Sequence, residues 1–237
     1  MSPRIVSQIT LVDGADGRDQ EEARDVLRSA GAELPGVTAS HAGIHFDYSV
    51  GGGDLTWDLA VADANALAAL CERLKQSTAA TAVDVLGDGF KSIRSRVSSM
   101  EFAIPDEIDG RVGVPGLVGV KRTLWLRVMP GTPAREVARF EAETPLLAEA
   151  IPAIRNWRWS RVRTTDPNPM TLRWTHLWEQ EFETEDGLQI DYMMSPCHWG
   201  YVDRWFDPEM PDCIVDVWLA HLACPASAPV LSGEASR

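Results

Sequence analysis

The chain has 237 residues, of which 45% are hydrophobic and 24% charged, with a formal net charge of −13. These totals suit one large or two smaller globular domains, and the acidity argues against nucleic acid or an anionic membrane as a partner. No signal-peptide core, membrane-spanning run or CxxC pair is present. We therefore expect a cytoplasmic protein with reduced thiols, no membrane partner and no zinc site.

The first half reads as strand, helix, two strands, helix and strand. The apolar periodicities predict strands at 5–12, 35–46 and 55–62, and helices at 17–34 and 64–77. Asp63 is a suitable N-cap for the second helix. Residues 81–90 are predicted to form the fourth strand. The order is β-α-β-β-α-β.

The second half repeats this order. Strands are predicted at 121–128, 154–163, 171–182 and 212–222, with the turn TTDPNPM at 164–170 between the middle two. Helices are predicted at 132–150, with Thr132 as N-cap and Pro133 in the first turn, and at 185–194. The phrase LPGV at 34–37 recurs as IPAI at 151–154, at the same step of each half. This pattern indicates an internal duplication.

A β-α-β-β-α-β unit forms an antiparallel sheet with helices on one face, the ferredoxin-like arrangement, and its other face must be covered. We therefore predict an α+β fold: two tandem ferredoxin-like units packed sheet to sheet as an α/β barrel within one chain, an intramolecular pseudo-dimer. The expected division is a degenerate first domain at 1–104, a linker at 105–119, a second domain with the active site at 120–222, and a disordered tail at 223–237. A further homodimer is left open.

The aromatic residues point to the second half as the place of a pocket. Eight of the nine tryptophans lie after Gly119. Strand alternation puts His176, Trp178 and Gln180 on one face, and Arg122, Leu124 and Leu126 on one face of another strand. Such mixed faces suit a pocket, although a tryptophan-rich core and a structural His176 are the alternatives.

The segment DYMMSPCHWG, at 191–200, places Tyr192 near the end of the last helix and His198 beyond Pro196, which we expect to stop the helix and leave His198 on a loop. A neutral histidine suits a general base, and a phenol suits a donor to an oxyanion. A nucleophilic Cys197, or a metal held by His176, His198 and a carboxylate, is a weaker alternative. His41, His45 and His221 lack recognisable partners and are expected to be structural or exposed.

These residues resemble a known family. From VKRTLWLRV through EAIPAIRNW and WTHLWEQEFETEDGLQIDYMMSPCHWG to IVDVW, roughly 120–218, the chain resembles the stress-responsive α/β-barrel (Dabb) domains, which are dimeric and ferredoxin-like. The resemblance is closest to polyketide cyclases of the type that form olivetolic acid. The family commonly has HPxH where this chain has SPCH, so Ser195 departs from the pattern.

The resemblance implies which residues do the chemistry. It assigns catalytic roles to Tyr192, His198 and His176. A histidine of the first strand is replaced by Arg122, and Thr144 replaces a tyrosine. The positions implied to line the substrate site are Arg122, Leu124, Leu126, Phe140, Thr144, Trp178, Gln180 and Trp199. The first half lacks the Tyr–Pro–His signature.

The resulting hypothesis is a cofactor-independent lyase or cyclase that acts on an aromatic or polyketide-like small molecule, with no metal. His198 would remove a proton beside a carbonyl while Tyr192 donates to the developing oxyanion. His176 would orient or relay, and Arg122 would hold a carboxylate or phenolate. The alternatives are a non-catalytic stress-response or small-molecule-binding protein, and a cofactor-free isomerase or monooxygenase of a neighbouring ferredoxin-like family.

Overall fold

The computed structural model describes residues 3–75, 86–114, 118–163 and 174–232. The strands are β1 (Arg4–Leu11), β2 (Val37–Ile44), β3 (Leu55–Val61), β4 (Val97–Arg111), β5 (Val120–Leu126), β6 (Ile154–Arg163), β7 (His176–Phe182) and β8 (Ala220–Pro225). The helices are α1 (Gly17–Ala32), α2 (Ala64–Lys75), α3 (Ala134–Glu143), α4 (Leu146–Ala150), α5 (Pro196–Tyr201) and α6 (Asp203–Phe206). A 3₁₀ helix, Asp88–Ile93, and a π-helical turn, Gly187–Tyr192, complete the elements.

The eight strands form one sheet in the order β2-β3-β1-β4-β6-β7-β5-β8. Strands β1 to β4 and strands β5 to β8 each have the antiparallel order of a ferredoxin-like unit. The units join where β4 passes beyond β1 at Ala103 and pairs with β6 from Ile104 to Arg111. At the opposite side, Val50 and His221 form a bridge that brings the two edges together. The predicted α+β barrel of two tandem units is confirmed.

Alternation along the strands divides the core into two helix-facing clusters and a barrel interior. In the first half, Leu27 and Phe90 cover Trp57 and Leu59 from outside the sheet. In the second half, helix residues such as Phe140 and Tyr192 cover Leu124. Trp125 and Leu222 pack in a third cluster, on the opposite face of the sheet.

The barrel interior also contains a buried four-charge cluster, formed by Arg4, Asp58, Lys121 and Glu179. Lys121 Nζ lies 2.6 Å from Asp58 Oδ2 and 3.2 Å from Glu179 Oε1, and Arg4 binds both carboxylates at 2.8 and 2.9 Å. Burial alone would raise the pKa of Glu179, but the attraction of Arg4 and Lys121 outweighs it and lowers that pKa to about 2. Each half supplies one cation and one anion, so the cluster ties the halves together.

The fourth strand was placed wrongly by the sequence patterns, and it extends into the segment expected to be a linker. The described part of 81–90 contains no strand, and residues 88–90 begin the 3₁₀ helix. The strand is β4, whose last seven residues lie in the segment predicted to be a linker. Pro105 and the neighbouring acidic residues are typical of a linker, yet Pro105 lies where β4 has just changed its partner strand from β1 to β6.

The remaining differences concern element ends. Pro145 divides the helix predicted at 132–150 into α3 and α4, and Pro133 rather than Thr132 precedes α3, with no side-chain cap. The last strand, β8, begins at Ala220 rather than at residue 212, because most of 212–219 has no regular structure apart from an isolated bridge at Val215. Asp63 does cap α2, accepting bonds from the amides of residues 65 and 66.

The described part of the tail, predicted to be disordered, packs on the barrel, where Leu231 is fully buried. The turn at 164–170, residues 81–85 of the expected fourth strand and residues 233–237 of the tail lie outside the described residues. The division into domains stays a prediction. No helix in the described ranges is long and apolar enough to cross a bilayer.

Candidate active site

The floor of the candidate site is the helix-facing side of β5 and β7. The register pairs Arg122 with Gln180, Leu124 with Trp178 and Leu126 with His176. All six side chains are buried. The faces expected from strand alternation therefore form one continuous strip, with Arg122 and Gln180 at one end and His176 at the other.

Tyr192 is brought over this strip by the π-helical turn. The amide of Met193 donates to the carbonyl of Leu188, an i to i−5 bond at 3.1 Å. The turn buries Gly187, Leu188 and Tyr192 against the sheet, and the Tyr192 ring packs edge-on to Phe182 at 5.6 Å. A π-helical turn is uncommon and is found often at functional sites.

His198 lies on a helix rather than on the expected loop. Pro196 occupies the first turn of α5, where its missing N–H is not needed, and Ser195 Oγ accepts from the Cys197 amide at 3.2 Å. Pro196 thus starts a helix instead of only ending one. This helix directs His198 inward, with its ring centroid 4.7 Å from that of Tyr192.

Arg122 is the centre of the polar contacts. Its guanidinium donates to Gln180 Oε1 at 2.5 Å and to the Tyr192 hydroxyl at 3.4 Å, and its Cζ lies 5.1 Å from the centre of the Tyr192 ring. It also contacts His221 Nδ1 at 3.2 Å. The amide nitrogen of Gln180 is buried and has no partner in the described part of the chain. Three potential donors to an oxyanion therefore meet here.

Both histidines near Arg122 are held neutral. Burial, with the charge of Arg122, lowers the pKa of His198 to about 4. The same causes, with His198 itself, lower the pKa of His221 to about 3. Among the described residues the ring nitrogens of His198 have no hydrogen-bond partner. A neutral, unpartnered imidazole beside a phenol is able to accept a proton.

The first half also contributes to this region. Phe46, from the loop after β2, packs against the cluster that contains Tyr192, and Tyr48 stacks on Phe46 at 5.2 Å. This loop therefore covers part of the second half's site from outside.

His176 makes its contacts at the other end of the strip. Its Nε2 lies 3.1 Å from Glu141 Oε1, and its ring stacks on Trp159 at 5.0 Å. Arg161 holds both oxygens of Glu141 at 2.6 Å. Burial lowers the pKa of His176, although Glu141 opposes the shift. The structure does not bring this histidine into contact with Tyr192 or His198.

The other expected site residues divide into buried and exposed ones. Phe140 packs edge-on to Trp159 and His176, and Thr144 Oγ1 donates to the Phe140 carbonyl inside its own helix. Trp199 is 57% exposed on α5 and turned outward. The sequence analysis did not identify His221, which belongs to no motif. On β8 it pairs with Leu124, two residues from Ala223, the partner of Arg122, and this position depends on the strand order.

Metal binding has no support from the described residues, where no three His, Cys, Asp or Glu side chains lie in an arrangement that could hold an ion. Cys197 is partly buried and free. The side chains around Arg122 offer proton transfer at His198 and hydrogen bonding from Tyr192 and Arg122.

Comparison with solved structures shows the same fold over nearly the whole chain. A protein described as anthrone oxidase-like has 11% identity and a TM-score of 0.60, with 94% of this chain and 90% of that chain covered. A proposed monooxygenase from Fusobacterium nucleatum has 10% identity and a TM-score of 0.55, with 96% of each chain covered. A proposed chlorite dismutase has 12% identity and a TM-score of 0.52, covering 98% and 99%. At these identities the likeness is one of fold.

A search of curated proteins finds no match. A family model does match, over the part of the chain that carries β5 to β7 and the Tyr192–His198 segment, and it supports the resemblance expected from the motifs. Residues 120–217 match the Dabb family, the stress responsive A/B barrel domain.

Proposed function

We propose that the second half is a cofactor-independent enzyme of lyase or cyclase type, acting by proton transfer on an aromatic or polyketide-like small molecule. The observation that carries the proposal is the contact of a neutral, buried His198 with Tyr192, whose ring lies under the guanidinium of Arg122. Family membership alone would not choose a reaction, because one fold hosts many.

His198 is the general base. Its low pKa keeps it unprotonated at neutral pH, so the proton-accepting form is always available. Such an imidazole is a weak base while Arg122 is its main charged neighbour. Negative charge that develops on the substrate opposes the field of Arg122 and raises the pKa of His198 during the reaction.

Tyr192, Arg122 and Gln180 stabilise the oxyanion. The guanidinium of Arg122 lies beside the phenol, to which it donates, and the amide nitrogen of Gln180, which has no partner among the described residues, adds a third donor. Donors fixed in a buried site stabilise a developing charge more than water does. A substrate oxygen would take the place of the Arg122 contacts to Gln180 and Tyr192.

The proposed reaction is an intramolecular aldol step. His198 takes a proton from the carbon beside a carbonyl, and the enolate oxygen accepts hydrogen bonds from Tyr192 and Arg122. The enolate carbon then bonds to a second carbonyl carbon of the same molecule, whose oxygen receives the proton back from His198. The reverse sequence is a retro-aldol cleavage, which needs the same groups.

A second candidate is cofactor-free oxygenation, in which the same base would form an aromatic enolate that reacts with O₂. It is favoured by the fold likeness to the anthrone oxidase-like protein, which covers nearly all of both chains. Oxygen uptake separates the two reactions, because an aldol step consumes none.

The test offers the protein a panel of aryl methyl ketones and linear triketones in D₂O. Mass spectrometry follows the incorporation of deuterium, ring formation and cleavage, and oxygen uptake is measured in the same reactions. We expect His198→Ala to abolish exchange and Tyr192→Phe to reduce it about 10²–10³-fold, as for loss of one oxyanion donor. The matched control is Tyr201→Phe, because Tyr201 lies on the surface of α5. It should exchange at the wild-type rate.

Full activity of both His198→Ala and Tyr192→Phe on a confirmed substrate would contradict the mechanism. Oxygen consumption in step with substrate loss would favour the oxygenase. Saturable binding of the ketones without exchange, cyclisation or cleavage would favour a non-catalytic binding protein.

A further inference from the structure

The two halves of the barrel meet along two seams, the lines where a strand of one half lies beside a strand of the other, and these seams are built differently. At one seam β4 continues past β1 and pairs with β6 over Ile104–Arg111. By the internal duplication, the counterpart at the other seam would be a continuation of β8 along β2. The chain instead leaves β8 at Pro225, and β2 stands at the end of the strand order with β3 as its partner.

The tail is held away from β2 by Glu181. The amides of Val230 and Leu231 donate to Glu181 Oε1 at 2.5 and 2.8 Å, and Arg158 Nε donates to the Leu231 carbonyl at 2.9 Å. Asn156 binds the other oxygen of Glu181 at 2.7 Å. These bonds fix the course of the tail, so the seam stays open along β2 beyond Pro225, although the Val50–His221 bridge closes its other end.

A cavity of about 710 Å³ occupies the open seam. It runs along residues 38–44 of β2, with residues 227–230 of the tail opposite, and reaches from Arg24 and Arg28 on α1 to the ion pair of Arg4 and Asp58 inside the barrel. Small-molecule sites usually have volumes of about 300–1,000 Å³. This cavity has the size of such a site, on the half of the chain away from Tyr192.

The charges around the cavity are opposite to those of the whole protein. Three arginines line it: Arg4, Arg24 and Arg28. Among the described lining residues one side chain, Asp58, is a carboxylate, and Lys121 and Arg4 already bind it. Arg24 and Arg28 lie one helical turn apart and share Asp25 in exposed contacts of 2.9 and 3.3 Å. Exposed pairs of this kind are weak, so a ligand anion can replace Asp25.

The remaining walls are small and largely apolar. Ala39, Ala60, Pro225 and Pro229 contribute compact surfaces, while the outer edge of β2 offers backbone hydrogen-bonding groups. A ligand that fits has an apolar body and one anionic head that two guanidinium groups can bind. We propose that the open seam is a second small-molecule site, which binds an organic carboxylic acid through Arg24 and Arg28.

The experiment is a titration of the ¹⁵N-labelled full chain with 1-naphthoate, monitored by amide chemical shifts. The naphthoate concentration rises to about 10 mM, which is enough to detect millimolar affinities. We expect shifts at residues 38–44 and 227–230, and at least tenfold weaker binding of the neutral 1-naphthalenemethanol. Arg24→Gln with Arg28→Gln should weaken naphthoate binding at least tenfold. Both side chains are partly or largely exposed, so the variant will fold.

The matched control is Arg135→Gln, because Arg135 is an exposed arginine of α3 paired with Glu136. It should change the affinity less than twofold. The proposal is overturned if no shift occurs at 38–44, if shifts occur only around Arg122 and His198, or if the Arg24/Arg28 variant binds as tightly as the wild type. Shifts confined to Arg122 and His198 would instead support ligand binding at the acid–base site, and the other two outcomes do not bear on the acid–base mechanism.

Discussion

The change Lys121→Met tests whether the buried charge cluster holds the two halves together. Methionine fills a similar volume but removes one of the two cations of the cluster. The side chains of Lys121 and Glu179 are fully buried, so water cannot replace the lost charge. Arg4 would then be the one cation that binds both Asp58 and Glu179, with Arg158 acting on Glu179 without a direct ion pair among the described contacts. Removing one partner of a buried ion pair costs about 3–5 kcal/mol, because the other charge stays buried without compensation.

The measurement is urea unfolding followed by circular dichroism. With a slope of about 2–3 kcal/mol per M, a loss of about 4 kcal/mol lowers the unfolding midpoint by about 1.5 M. The control is Lys91→Met, whose exposed pair with Asp88 is worth at most about 1 kcal/mol. If Lys121→Met is as stable as this control, the cluster does not have the proposed role.

A double variant separates charge balance from packing. Lys121→Met combined with Asp58→Asn removes one cation and one anion, so the remaining Arg4 and Glu179 stay neutral as a pair. We expect the double variant to be more stable than the sum of the single losses predicts, by at least about 1 kcal/mol. Additive losses would show that the two side chains do not interact energetically.

The remaining predictions concern the strip beneath the helices. By NMR, His198 should titrate with a pKa of about 4, and Arg122→Leu should raise it; a wild-type value near 6.5 contradicts the site's electrostatics. Because the folded pKa lies below the unfolded one, the stability from burying neutral His198 is complete above about pH 6.5 and lost as the pH falls to about 4. Glu141→Gln should lower the pKa of His176 further, since Glu141 opposes the effect of burial, and an unchanged NMR titration would contradict their contact. Trp199→Ala should change the free energy of unfolding, measured in urea, by less than about 0.5 kcal/mol, because its side chain is exposed. A large loss of ligand affinity in this variant would show that Trp199 lines the site after all.

The elements that local patterns determine were predictable. The second-half strand at 154–163 has the bounds expected from its pattern, and Asp63 caps its helix as expected. Alternation also predicted that Arg122, Leu124 and Leu126 share one face of their strand, and the structure shows helices covering that face. Here local sequence and tertiary packing favour the same structure.

The features that depend on strand order were not predictable. Lys121 has the sequence neighbours of a surface residue, and only the closed barrel brings it to Asp58, 63 positions away. Likewise, the proline and acidic residues of β4 are typical of a linker, yet this segment is a strand that pairs with both units. His221 needed the pairing of β8 with β5 to reach Arg122. Sequence periodicity gives the face of a strand but not the strand beside it.

The most direct test of the acid–base site is a crystal structure of the protein with an aromatic ketone that the exchange assay identifies. We predict the ketone oxygen within hydrogen-bond distance of the Tyr192 hydroxyl and the Arg122 guanidinium, with its exchanging carbon next to a ring nitrogen of His198. A ketone bound elsewhere, with Tyr192 and His198 still packed on each other, would contradict the account.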